Sequence, residues 1–140
     1  MGNSYLPSGE GVGEIAPAKG FSKAFALKDA LAVPRQAREF KARGYFLEMV
    51  TAVDTTKGLR LLYVFNRFDG PGRTALYVDV AYSATVPTIS DCFAGALWFE
   101  SEVYDLFGVT FDKHPDLKRL LTPEGMVGFP LLKSWQGAES

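Results

Sequence analysis

The sequence predicts an α+β domain: an antiparallel β-sheet packed by two main helices, followed by an extended C-terminal tail. Three observations carry this. Two stretches, residues 34–43 and 88–107, read as helices, the second with apolar residues at helical spacing. Between them, three runs rich in Leu, Tyr, Val and Phe are separated by short Gly-containing turns. From Gly108 onward, Pro115, Pro123 and Pro130 interrupt regular structure while apolar residues continue. Helix, meander and helix give two layers around one core.

Residues 1–20 contain five glycines and two prolines with almost no apolar periodicity, and are expected to form a flexible N-terminal segment. Gly9, Gly11 and Gly13 suggest a phosphate loop only superficially, because no strand precedes them and no helix clearly follows. The domain proper is assigned to 21–107. Phe21 to Val33 is ambiguous and is read as a strand ending at Val33. Pro34 suits the first turn of a helix, PRQAREFKAR, which Gly44 closes. Strands are expected at Phe46–Val53, Leu59–Phe68 and Thr74–Tyr82, joined by turns at Asp54–Gly58 and Asp69–Gly72.

The second helix is expected to start at Thr88, whose hydroxyl would cap it, with Asp91 completing a capping box. Ile89, Phe93, Ala96, Leu97, Val103, Leu106 and Phe107 then form the apolar stripe, and Gly108 supplies a left-handed terminator. Its last two turns carry Glu100, Glu102 and Asp105 and no Lys or Arg. Negative charge at a helix C-terminus opposes the macrodipole by about 0.3–1 kcal/mol per group. Such a helix end calls for a basic partner outside itself.

Bulk properties narrow the function. At 140 residues the chain is one domain, and 47% hydrophobic with 22% charged residues is ordinary for a globular protein. Fifteen basic against sixteen acidic residues argue against nucleic acid or an anionic membrane as the main partner. No window approaches the ~18–20 apolar residues of a membrane helix, and MGNSYLPSGEGVGE does not read as a secretory signal. Cys92 is the only cysteine and permits no internal disulfide, which fits a reducing cytosol. An iron–sulfur cluster ordinarily needs four thiolates and structural zinc about four Cys or His ligands. With one Cys and one His, the chain is expected to hold no metal, cluster or other cofactor.

The stretch WFESEVYDLFGVTFDKHPDLKRLLTPEG, from Trp98 to Gly125, resembles the signature of the thirty-kilodalton subunit of respiratory complex I, the NADH:quinone oxidoreductase. That pattern reads roughly E-R-E-x-Y-D-L-F-G-[IV]-x-F-x-G-H-P-D-L-[RK]-R-[IL]-L. Glu100, Glu102, Tyr104, Asp105, Leu106, Phe107, Gly108, Phe111, His114, Pro115, Asp116, Leu117, Arg119 and Leu121 match it. FLEMVTAVDTTKG, Phe46 to Gly58, is similar to the family's first strand and turn, so the resemblance covers roughly residues 33–133. Ser101 stands where the family usually has Arg, and Lys113 where it usually has Gly.

The resemblance implies a non-catalytic, peripheral-arm subunit of a complex I-related oxidoreductase. Its partners would be the large subunit (49 kDa-like or nickel–iron) and a small iron–sulfur subunit. It also implies a cytoplasmic location, peripheral on the inner face of the cell membrane, without direct membrane insertion. Phe129 and Leu132 replace His and Arg of the family's G-H-P-L-R-K motif, and the sequence ends at Ser140. These departures favour an energy-converting hydrogenase or formate hydrogenlyase-type complex, with NADH:quinone oxidoreductase as the alternative.

The candidate partner-binding residues are Glu100, Glu102, Tyr104, Asp105, His114, Asp116, Lys118, Arg119, Phe129 and Trp135. Arg119 or Lys118 could instead pair with the acidic helix end within the chain. His114 supports a second reading, a free-standing enzyme with a histidine base, against which stands a plain turn at His114-Pro115-Asp116; a third is a small independent adaptor. On the docking reading, Glu102→Ala or Asp105→Ala weakens assembly and leaves the isolated fold nearly unchanged. The tail, 108–140, is then ordered mainly by the partner, with weak amide protection beyond Leu121 in the free chain.

Overall fold

The computed structural model describes Pro7 and residues 11–70, 72–120 and 128–134. Its elements run β1 (Val12–Ile15), β2 (Lys23–Leu27), a 3-10 turn (Ala30–Ala32), α1 (Val33–Ala42), β3 (Phe46–Asp54), β4 (Leu59–Asn66), β5 (Thr74–Val80), β6 (Thr85–Pro87), α2 (Ala96–Phe107) and β7 (Thr110–Asp112). The α+β class and both helices match expectation. Five strands form one sheet in the order β1-β2-β5-β4-β3, and β6 and β7 form a small parallel pair.

The meander β3-β4-β5 is antiparallel, because its two turns are short enough for neighbouring strands to fold straight back. The β2–β5 pairing is parallel, so the sheet is mixed rather than wholly antiparallel. The reason lies in connectivity: the chain leaves β2, builds α1, and returns beside β2 only after β3 and β4. Two further differences concern the N-terminal strands. The expected flexible lead-in contains β1, paired with β2 from Val12↔Leu27 to Ile15↔Ala24. The strand expected to reach Val33 stops at Leu27, where Asp29 accepts a bond from Leu31 N at 3.0 Å and caps the 3-10 turn.

α1 keeps Pro34 in its first turn and is closed by Gly44 at φ +84°. Its Val33, Ala37 and Phe40 face the sheet, and Phe40 stacks on Phe65 at 4.2 Å. α2 contributes Ala96, Val103 and Phe107 to the same core, alongside Leu59, Leu61, Tyr63, Leu76 and Val78 from the sheet. Both helices therefore cover one face.

α2 begins at Ala96, eight residues later than expected. Thr88 is occupied elsewhere. Its N–H donates to Asp112 O at 3.0 Å, extending the β6–β7 pairing, and its hydroxyl donates to the Glu100 carboxylate. A residue held in this way cannot cap a helix, and the chain passes through turns to Gly95, which caps α2 with no side-chain bond.

Candidate functional site

Three of the candidate residues are internal braces. Glu100 has no exposed surface: it accepts the Thr88 hydroxyl and Ile89 N at 2.8 Å, tying the middle of α2 to the end of β6. Asp105 is equally buried. It accepts Arg119 Nε at 2.6 Å and Leu120 N at 3.0 Å, and Arg119 also reaches Gly128 O at 2.9 Å. The cation that α2 lacks in sequence thus arrives from the segment after β7. Gly108 ends α2 at φ +83°, its N–H bonded to Tyr104 O at 2.9 Å.

Burial pushes the Glu100 carboxyl up, against the pull of its two donors; nearby His114 lowers it and Asp91 raises it. A carboxyl raised in the folded state is equally neutral in both states at low pH, and costs stability as pH climbs above its unfolded value. The stability of wild type relative to Glu100→Gln is therefore expected to fall as pH rises from about 4.5, the ordinary glutamate value. Urea midpoints of the two chains across pH measure this; parallel curves would mean Glu100 is not desolvated.

Beside Glu100 lies Tyr63, fully buried, whose hydroxyl has no hydrogen-bond partner among the described residues. Burial first, and the Glu100 charge second, push that phenol upward. A buried polar group without a partner costs about 1–3 kcal/mol, so Tyr63→Phe is expected to raise stability by about 1 kcal/mol. Thermal unfolding tests this, and a loss of stability would reveal a hidden partner.

His114 is fixed as a turn residue. Its Nδ1 accepts Asp116 N at 3.0 Å, so Nε2 carries the proton and donates to Leu97 O at 3.0 Å in the first turn of α2. Ser101 Oγ sits 3.4 Å from Nε2. This geometry clips the loop to the helix, and among the described residues no group of three or more Cys, His, Asp or Glu converges on it. Lys113, just before it, is held at φ +66°, a region that favours glycine.

The remaining candidates divide between tail and surface. Phe129 lies over Gly108, where an added Cβ would approach its ring to 2.7 Å; Arg119 sits 4.8 Å from the ring centroid and Tyr104 6.2 Å. Asp116 and Lys118 pair at 3.2 Å in solvent, a contact of little energetic weight. Glu102 is half-buried on α2. Trp135, Leu121 and Met126 lie outside the described residues.

Sequence reasoning missed one feature and left a second open between core and surface. Asp54, read only as a turn residue, accepts Thr56 N at 2.8 Å, the Tyr82 hydroxyl at 2.5 Å and Lys133 N at 2.7 Å. The Tyr82 bond, then that of Lys133, holds its carboxyl below the usual range. With Leu131 N donating to Leu106 O at 3.0 Å, this fastens 128–134 to the chain's own domain rather than leaving that stretch to a partner. The second is an exposed ridge, Leu97 and Trp98, at 39% and 54% exposure on α2. It borders two grooves, of about 680 Å³ beside Pro34, Pro87 and Asp112, and about 400 Å³ beside Ser101, Lys118 and Leu120; Leu97 and Pro115 line both, and Trp98 lines the smaller.

Both the sequence and the fold match known proteins. The profile described as "Respiratory-chain NADH dehydrogenase, 30 Kd subunit" matches residues 25–140. The chain belongs to that family. As a 30 kDa-subunit relative, it is 40% identical over 89 residues to the corresponding NADH-quinone oxidoreductase subunit of Ruegeria pomeroyi, covering 61% of this chain and 44% of that one. It is 34% identical over 115 residues to an NAD(P)H-quinone oxidoreductase subunit of a Synechococcus strain, covering 75% and 65%. The chain spans roughly a third of several other relatives, such as the 30.4 kDa mitochondrial subunit of Neurospora crassa, at 31%.

Among solved structures, the trypsin-resistant fragment (1-134) of Nqo5 superposes with a TM-score of 0.66 at 26% identity, covering 77% of this chain and 91% of that one. A chain of the archaeal membrane-bound sulfane sulfur reductase shares the fold at 19% identity, covering 78% of this chain and 66% of that one, with a TM-score of 0.68. No helix among the described residues is long and apolar enough to cross a membrane.

Proposed function

We propose that the chain is a non-catalytic structural subunit of a complex I-related respiratory complex, and that it docks on the large subunit through the outer face of α2. The observation that carries this is the exposed Leu97–Trp98 ridge bordering two grooves, in a family whose members are named as oxidoreductase subunits. A large apolar pair left in solvent beside concave surface is the anatomy of an interface core. Glu102, Asp116 and Lys118 would form its polar rim, and a small iron–sulfur subunit would complete the neighbourhood. Glu100, Asp105 and Arg119 would hold that face in shape from inside. The site would lie on the inner side of the cell membrane.

Two kinds of complex fit this role: the hydrogenase or formate hydrogenlyase type expected from the tail, and NADH:quinone oxidoreductase, after which the sequence relatives are named, while the archaeal sulfane sulfur reductase shares the fold. Phe129 weakens one argument for the hydrogenase type. Its ring has an internal role over Gly108, so its presence in place of His does not require a shorter partner surface. Trp98→Asp is expected to abolish co-purification with the large subunit while leaving the thermal midpoint of the isolated chain nearly unchanged, since Trp98 is exposed there. Full retention of the variant in the complex would remove α2 as the docking face.

A further inference from the structure

The outer face of α1 is the candidate that the proposed function does not use. Its buried side is Val33, Gln36, Ala37 and Phe40. Its solvent side carries Arg35, Arg38 and Lys41, with Arg43 at the cap and Glu39 as its one acid. Lys41 donates to Cys92 O at 2.8 Å. Arg35 and Arg38 make no hydrogen bond or ion pair among the described residues. The other arginines are all engaged: Arg60 with Asp79, Arg67 with Asp69, Arg73 with Glu48, Arg119 with Asp105, and Arg43 also has a partner.

Placement makes the exception informative. Arg35 lies in the first turn of α1, where positive charge opposes the helix macrodipole, and no acid occupies that turn. Arg35 and Arg38 are three residues apart, as are Arg38 and Lys41, so like charges adjoin along one face. Carboxylates stand nearby on three segments: Asp29 capping the 3-10 turn, Glu39 on α1, and Asp91 in the loop before α2. Neither arginine closes on any of them. Leu31, in the 3-10 turn that leads into α1, is 71% exposed, the most exposed leucine among the described residues. Two open guanidinium forks beside an apolar knob form a compact basic anchor on a chain whose net charge is −1.

We infer that this face, Leu31 with Arg35 and Arg38, is a second docking surface, and that its occupant is an acidic segment of a neighbouring subunit in the same complex. The inference rests on the proposed role as a complex subunit. Carboxylates take arginine forks in bidentate geometry, and a hydrophobic residue beside them would cover Leu31. A lipid surface fits less well, since such binding draws on larger basic clusters together with a broader apolar face.

The test uses the assembled complex carrying Arg35→Glu/Arg38→Glu, against a control, Lys19→Glu/Lys57→Glu, that reverses two exposed charges elsewhere. Salt is raised over the immobilised complex until the chain is released. The expected result is release of the α1 variant at severalfold lower salt than wild type, with the control unchanged. Arg35→Gln/Arg38→Gln, which adds no new charge, is expected to shift release in the same direction by less. Circular dichroism of each variant establishes that it is folded. Release at wild-type salt, or an equal shift in the control, overturns the inference. A wild-type chain that sediments with phosphatidylcholine vesicles only when they contain phosphatidylglycerol, and loses this with Arg35→Glu/Arg38→Glu while assembly is unaffected, assigns the face to lipid and also overturns it. A wild-type chain that enters no complex at all fails the proposed function instead, before either variant is compared.

Discussion

Asp105→Ala is expected to destabilise the isolated chain by about 3–5 kcal/mol, the cost of removing one partner of a buried ion pair. This reverses the sequence expectation that the substitution would weaken docking and spare the fold. The carboxylate has no exposed surface and is filled by Arg119 Nε and Leu120 N, while the Arg119 side chain is 22% exposed. Deleting the acid leaves a guanidinium inside the fold, still bonded to Gly128 O but without its counter-charge. Arg119→Ala should cost less, because Asp105 keeps the Leu120 amide. A double-mutant cycle in urea isolates the pair: strong coupling is expected, whereas additive losses would mean that the two residues act separately. Glu102→Ala remains nearly neutral for the fold, because that side chain is half-buried and not part of the brace.

Gly108→Val is the second large effect, expected at about 3 kcal/mol. A β-branched residue at φ +83° incurs about 1–2 kcal/mol of backbone strain. Its Cβ would also meet the Phe129 ring at 2.7 Å, and overpacking of this kind adds about 1–3 kcal/mol. The ring can yield only by leaving its place between Arg119 and Tyr104, which would loosen the Leu131–Leu106 and Lys133–Asp54 bonds that follow. Hydrogen exchange should therefore quicken at the Leu131 and Lys133 amides together. Lost stability with unchanged exchange there would show that the ring does not secure this stretch.

Much of the fold is legible from local pattern. Pro34 and Gly44 mark the ends of α1, and short turns mark β3 to β5. The Asp105–Arg119 pair was foreseeable as the modest reading of an acidic helix end. Lys113 was visible as a departure from glycine, and its positive φ shows what the departure costs. The misreadings share one cause: long-range partners override local signals. Thr88 has every mark of a helix cap, yet Glu100, twelve residues on, takes its hydroxyl. β1 lacks apolar alternation because it is an edge strand ordered by β2. Asp54 looked like a turn residue because the tail that it holds lies 79 residues away. The exposed ridge was half legible: an aromatic such as Trp98 in an apolar helix reads as either a core or an interface anchor, and only packing reveals which residues remain outside.

The most direct test of the docking account is oxidative footprinting of Trp98 in the isolated chain and in the assembled complex. Trp98 is 54% exposed in the free fold, whereas Tyr63, on the sheet, is fully covered. The account predicts that Trp98 reacts readily in the isolated chain and falls to the level of Tyr63 once the large subunit is bound. Equal reactivity of Trp98 in both states would contradict it.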